Sequence, residues 1–197
     1  MQTKAAQTRK FIIETVAPIF NKKGYIATTM SDITQATHLT KGAIYGNFEN
    51  KDELAMEAFT FNVKKMLRLV DEYQASGATP LEKLFLGSQF YRSYYDLSRD
   101  MGGCPILNMG VSTKEQHPVM YDYVKFTVNK IISNLQKLIE EAQILQEIKP
   151  EINPAVYAQK IYTLFQGAIF MAHTLEDPQY LTEASKDVDN LLHQIKT

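Results

Sequence analysis

Thr29, Thr40, Lys41, Tyr45, Asn47 and Lys51 collect hydroxyl, phenol, amide and ammonium donors in one short stretch. Groups of these types at helix starts donate to phosphate oxygens, and on an outward helix face they also reach base edges. The chemistry they imply is binding. No nucleophile–base pair stands out, and His38, His117, His173 and His193 are scattered without the spacing of a metal motif. Gly102 and Gly103 lack the flanking strand and spacing of a dinucleotide or P-loop site. The expectation is therefore a protein that is not an enzyme, with no catalytic residue, no metal and no cofactor.

These donors need helices to hold them, and residues 28–61 supply the pattern. Thr29 or Ser31 caps a first helix whose Ile33 and Ala36 fall three apart and face inward. His38 and Leu39 make a turn, and histidine is among the residues that tolerate positive φ. Thr40 caps a second helix, with Ile44 and Phe48 four apart on its buried side and Lys41, Tyr45 and Asn47 outward. Lys51 opens the next helix, where a cation opposes the dipole and a nearby anion would account for it. Two short helices around a tight turn predict a helix-turn-helix, whose second helix enters a DNA major groove.

At Ile33, Thr40-Lys41-Gly42-Ala43-Ile44-Tyr45, Phe48 and Lys51-Asp52-Glu53-Leu54 the chain resembles the TetR/AcrR family of bacterial transcriptional regulators. It departs from the family pattern at Thr37-His38, where Ala-Gly is usual, and at Asn47, where His is usual. The resemblance implies that Thr29, Tyr45, Asn47 and Lys51 position phosphates while Lys41 and its helix approach bases. It also implies a ligand-responsive regulator, more often a repressor, that binds a pseudo-palindromic double-stranded operator as a homodimer and leaves it when a small-molecule effector binds.

Composition is compatible with this. The chain has 197 residues, 45% hydrophobic and 22% charged, as for an ordinary folded protein. Residues 1–65 carry a balance of +3 and residues 66–197 a balance of −4, a basic end on an acidic body. No apolar run is long enough for a membrane span and no signal peptide opens the sequence, so a cytoplasmic location is expected. The single cysteine, Cys104, fits a reducing compartment and reads as a buried structural thiol before it reads as a sensor.

The rest of the chain is also helical, giving an all-α expectation of about nine helices: a three-helix DNA-binding head over residues 1–50 and an effector-binding and dimerisation body over 51–197. A first helix over 3–23 contains Pro18, which should kink it or replace one backbone bond, and ends at Gly24. Further helices are expected over 51–73, 80–98, 105–115, 118–145, 154–175 and 178–195. Phe90, Tyr91, Tyr94, Tyr95, Met109, Met120, Tyr123, Phe126, Phe170 and His173 are aromatic, sulfur-bearing or imidazole side chains suited to a pocket, and equally to a plain core. That a pocket exists there is implied by the resemblance. So is a dimer interface on the two last helices, assigned to Tyr162, Phe165, Ile169, Leu181, Val188, Leu191 and Leu192. A helical protein-binding adaptor and an enzyme with an unrecognised site are the alternatives from other classes.

Overall fold

The computed structural model describes residues 3–197. Among these the secondary structure is helical: α1 (Lys4–Ala27), α2 (Met30–Thr37), α3 (Lys41–Tyr45), α4 (Lys51–Gln74), α5 (Pro80–Phe90), a 3-10 turn (Tyr91–Ser93), α6 (Tyr94–Asp100), α7 (Pro105–Thr113), α8 (Pro118–Ile144), α9 (Pro154–Leu175) and α10 (Gln179–Ile195). The all-α expectation holds. No helix among the described residues is long and apolar enough to cross a membrane.

The backbone divides into two compact units. One comprises the chain through Met66 together with Asp100–Lys125; the other comprises Leu67–Arg99 and Phe126–Thr197. Packing therefore groups residues differently from the boundary at 50/51 read off the sequence. That boundary marks the start of α4, whereas residues 51–66 and 100–125 bury their apolar faces with α1 to α3.

In the first unit α1 presents Ile12, Val16, Ala17 and Phe20 as one buried stripe, and α4 answers with Leu54, Ala55, Ala58 and Phe59. Asn62 Nδ2 donates to the Ala17 carbonyl at 2.9 Å and ties α4 to α1 beside Pro18. Of the two outcomes expected at Pro18, the kink does not occur: the dihedrals stay helical through it, with its ring on the exposed side. The break falls at Gly24 instead, with φ 76° and ψ 169°, after which one more turn runs to Ala27. A side chain at Gly24 would sit 3.1 Å from Ser112 Cβ on α7, so the glycine supplies both the positive φ and the close approach.

Gly102, at φ 87°, packs on the backbone of Lys22 so closely that a Cβ there would lie 3.1 Å from the Lys22 Cα. Asn21, buried in α1, holds this loop by donating to the carbonyls of Met101 and Gly103, each at 2.7 Å. Asn108 returns the contact to the Asn21 carbonyl at 2.9 Å. Cys104 precedes α7 and is buried, as expected of a structural thiol.

In the second unit α5, α9 and α10 enclose Leu81, Leu84, Ile161, Phe165, Ile169, Leu181, Val188 and Leu192. Ser88 Oγ lies 3.2 Å from Ser185 Oγ, and Arg92 spans from Ser185 Oγ at 2.9 Å to Asp189 at 2.8 Å. The single helix expected over 80–98 is split by the 3-10 turn. Three residues wound at 3.0 per turn rotate the following helix by about 60° against the α phase. Tyr91 then stacks flat on Phe165, with ring centroids 3.8 Å apart and 11° between planes.

Candidate nucleic-acid interface and ligand cavity

Thr29 is the N-cap of α2 and forms a complete capping box. Its hydroxyl accepts the Asp32 N–H at 3.1 Å, and the Asp32 carboxylate accepts the Thr29 N–H at 2.8 Å. Lys23 reaches the same carboxylate at 2.7 Å; with the Thr29 bonds it holds Asp32 down to about 2. His38 closes α2 in the left-handed region at φ 56°, ψ 24°, which is how the turn is made without the usual glycine. Thr40 then caps α3 by accepting the Ala43 N–H at 3.1 Å.

This geometry leaves the start of α3 outward. Ile44 and Phe48 are buried, Lys41 is exposed, and Tyr45 is 45% exposed. Asn47 folds back, donating to the Ala43 carbonyl at 2.9 Å. Lys51 is placed differently from the reading that sought an anion beside it. Its Nζ donates to the Tyr25 carbonyl at 2.9 Å and stands 4.5 Å from the centre of the Tyr25 ring. Burial lowers its pKa, partly offset by Asp52. The cation thus satisfies a carbonyl at the end of α1 while sitting in the first turn of α4.

Two clusters behind the reading face were not foreseen from the sequence. Arg9, in the first turns of α1, is a brace. It stacks 4.2 Å over the Phe48 ring, donates to the Asn47 carbonyl and pairs with Glu53 at 2.6 Å. The second cluster joins α1, α4 and the residue that precedes α8. The Tyr25 hydroxyl donates to Asp52, and His117 Nε2 lies 3.0 Å from the other Asp52 oxygen. His117 Nδ1 accepts the Met120 N–H at 3.1 Å, which leaves Nε2 to carry the proton toward Asp52. Nothing local in sequence joins residues 25, 52 and 117.

The Tyr25 bond, ahead of burial and His117, sets the direction for Asp52, whose pKa is lowered from 3.8. A carboxylate depressed in the folded state adds stability above its unfolded pKa and loses it as pH falls through the folded one. Asp52→Asn is therefore expected to lower stability at pH 7 by about 1 kcal/mol, at the low end for a charge-assisted bond because the site is partly exposed. The gap to wild type should narrow as pH falls below the ordinary value of 3.8, read as urea midpoints at each pH. A gap that does not narrow as pH falls would show that charge is not its source.

The second unit holds a cavity of about 170 Å³ built from α4, α5, α8, α9, α10 and Tyr91. Of the ten pocket residues expected from sequence, Tyr91 lines it. Phe90 and Tyr94 are buried beside Tyr91, and Tyr95 stacks on His173, whose Nε2 lies 2.8 Å from Ser98 Oγ. Burial lowers the His173 pKa. Met109, Met120 and Tyr123 belong to the first unit, where Tyr123 meets Thr60 at 2.8 Å. Phe126 and Phe170 are mostly exposed. The ten do not converge, and the cavity instead recruits aliphatic residues such as Leu84, Leu135 and Leu138.

The expected interface residues need a similar correction. Tyr162, Phe165, Ile169, Leu181, Val188 and Leu192 are buried in this chain's own core, and Leu191 is half-buried. Their helical spacing marks a buried stripe without saying whose surface buries it. The outward face of α9 carries Val156, Leu164, Gly167 and Phe170.

Capped α2, a left-handed turn, an outward α3 and a separate helical unit with its own cavity define the class: an all-α helix-turn-helix regulator. Residues 12–58 match the family described as bacterial regulatory proteins, tetR family, and residues 80–188 match the tetracyclin repressor-like C-terminal domain. The chain belongs to the TetR family of transcriptional regulators. A TetR-family regulator from Cytophaga hutchinsonii is 30% identical, with a TM-score of 0.91 over 100% of this chain and 98% of that one. Another, from Chloroflexus aurantiacus, is 28% identical with a TM-score of 0.90 over 98% of each. The A-factor receptor protein of Streptomyces griseus is 28% identical over 84% of this chain and 55% of its own length, so the chain spans about half of that relative.

Proposed function

We propose that this chain is a cytoplasmic, ligand-responsive repressor that binds a pseudo-palindromic operator as a homodimer. In this reading residues 1–50 read DNA, while residues 51–197 bind the effector and the second copy. The role is regulatory and not catalytic. The observation that carries it is the outward α3, capped by Thr40 and set by the left-handed His38. Lys41 and Tyr45 are the exposed donors there, with Thr29 and Thr40 able to offer hydroxyls from the caps. Asn47 and Lys51 each donate one hydrogen to a carbonyl and keep further N–H donors that phosphate could take. Two such heads must meet successive major grooves about 34–36 Å apart, or a multiple of that spacing. An effector shifts the equilibrium only by its differential affinity for the DNA-competent and released states.

The test is selection of sites from a random duplex pool by the purified protein at two salt concentrations. Enrichment of an inverted repeat, with affinity falling steeply as salt rises, is expected. Absence of any binding at low salt would refute the DNA reading. Lys41→Ala separates base from backbone contact. As a base reader Lys41 should relax specificity at one position of each half-site, at a cost of about 1–3 kcal/mol. As a phosphate contact its loss should weaken all sequences alike and reduce the salt slope by about one per head. The first outcome is expected, because Lys41 opens the helix that enters the groove. Site selection repeated with the variant decides it.

A further inference from the structure

We infer that the cavity of the second unit takes a compact, mainly apolar molecule that is neutral or cationic, and that it excludes carboxylates. The inference rests on the effector reading for its biological role, although the binding itself does not require it. Leu84, Leu135, Leu138, Ile161, Phe165 and Val188 make the wall apolar. Asp71 and Asn134 are the lining residues that are exposed, so they mark the mouth. Among the described residues no lysine, arginine or histidine lines the site, and Asp71 is the carboxylate there.

Two further polar side chains of the lining are bonded within the fold. Gln74 Nε2 donates to the Lys83 carbonyl at 2.7 Å, and Ser88 is bonded to Ser185. The nearby cation Arg92 is paired with Asp189 at 2.8 Å. An anion entering would lose water, gain no cation and face Asp71. An ammonium placed at the mouth meets a carboxylate of opposite sign, and a hydroxyl meets the Asn134 amide. The volume of about 170 Å³ is close to that of an apolar cavity known to take benzene, so one ring with short substituents fits, on the order of ten non-hydrogen atoms.

The probes are 4-ethylbenzyl alcohol, 4-ethylbenzylamine and 4-ethylbenzoate, titrated calorimetrically into the full chain. The alcohol and the amine should bind, with the benzoate weaker by on the order of tenfold to a hundredfold. Asp71→Lys, at an exposed position, should reverse the order of amine and benzoate. Leu135→Trp should fill the cavity and abolish binding of all three. Benzoate binding as tightly as the amine, an order unmoved by Asp71→Lys, or no binding by any probe would each overturn the inference. Should Leu135→Trp not fold, Asp71→Lys still decides.

Operator affinity measured with each probe separates this inference from the reading it rests on. Probes that bind in the expected order without loosening the operator would sustain the cavity chemistry and refute its use as the effector site. An anion that releases DNA whatever stands at residue 71 would do the reverse.

Discussion

Phe48→Ala should cost the protein about 3–5 kcal/mol, the range for removing a buried aromatic ring, and with it all specific DNA binding. Phe48 is 2% exposed and follows directly on α3. Its backbone N–H still bonds to the Ile44 carbonyl at 3.1 Å, so the ring is the plug between the reading helix and the start of α4. The same ring carries the Arg9 guanidinium, which in turn holds the Asn47 carbonyl and Glu53. Alanine would leave a cavity and free the arginine that closes the corner. With total stabilities of about 5–15 kcal/mol, such a loss removes a large part of what holds a domain folded. Urea unfolding followed by helical circular dichroism measures it. Phe48→Leu, which keeps much of the volume, should lose less than half as much. A loss under about 1 kcal/mol for alanine would mean that the ring is not what seats α3.

The head was legible in sequence because its determinants are local. Thr29 and Thr40 are caps whose partners lie three residues away, and both form those bonds. His38 takes the positive φ that the turn needs, within the tolerance of its residue type. Ile33, Ile44 and Phe48 are buried as their spacing required. The limits of α9, between Asn153 and the left-handed Glu176, follow from Pro154 and the apolar run in the same way.

What sequence could not give is convergence. The brace of Arg9 and the Tyr25–Asp52–His117 cluster join residues separated by many turns of helix, and no pattern along the chain couples them. The cavity draws on five helices, each contributing from one to three aliphatic residues that look like ordinary core. Of the aromatic residues that looked most like a pocket, Tyr91 lines the cavity while stacked on Phe165, and Tyr123 meets Phe59 edge-on in the first unit. The 3-10 turn after Phe90 also changes helical phase, so a single period carried through 80–98 assigns its later faces wrongly.

The interface residues failed for a related reason, and the correction leads to the second large effect. On α9 the buried stripe is Ala158, Ile161, Tyr162, Phe165, Ala168, Ile169 and Ala172, all within one chain. Val156, Leu164, Gly167 and Phe170 lie on the opposite side, with Phe170 57% exposed and open space where a Gly167 side chain would project. A glycine flanked by large apolar residues allows a second helix to approach closely, and covering Phe170 and Leu164 on each copy offers roughly 1.5–3 kcal/mol per side chain. If the chain pairs through this face as proposed, Phe170→Asp should therefore give a monomer in sedimentation velocity where the unsubstituted chain gives a dimer. Because the position is exposed, the fold should change in stability by no more than about 0.5 kcal/mol. Operator affinity should fall by at least about a thousandfold, toward the non-specific level, because one head alone contacts half of the site. A Phe170→Asp protein that stays dimeric and keeps its operator would place the pairing surface elsewhere. A monomer that still binds the full operator tightly would instead undo the requirement for two coupled heads.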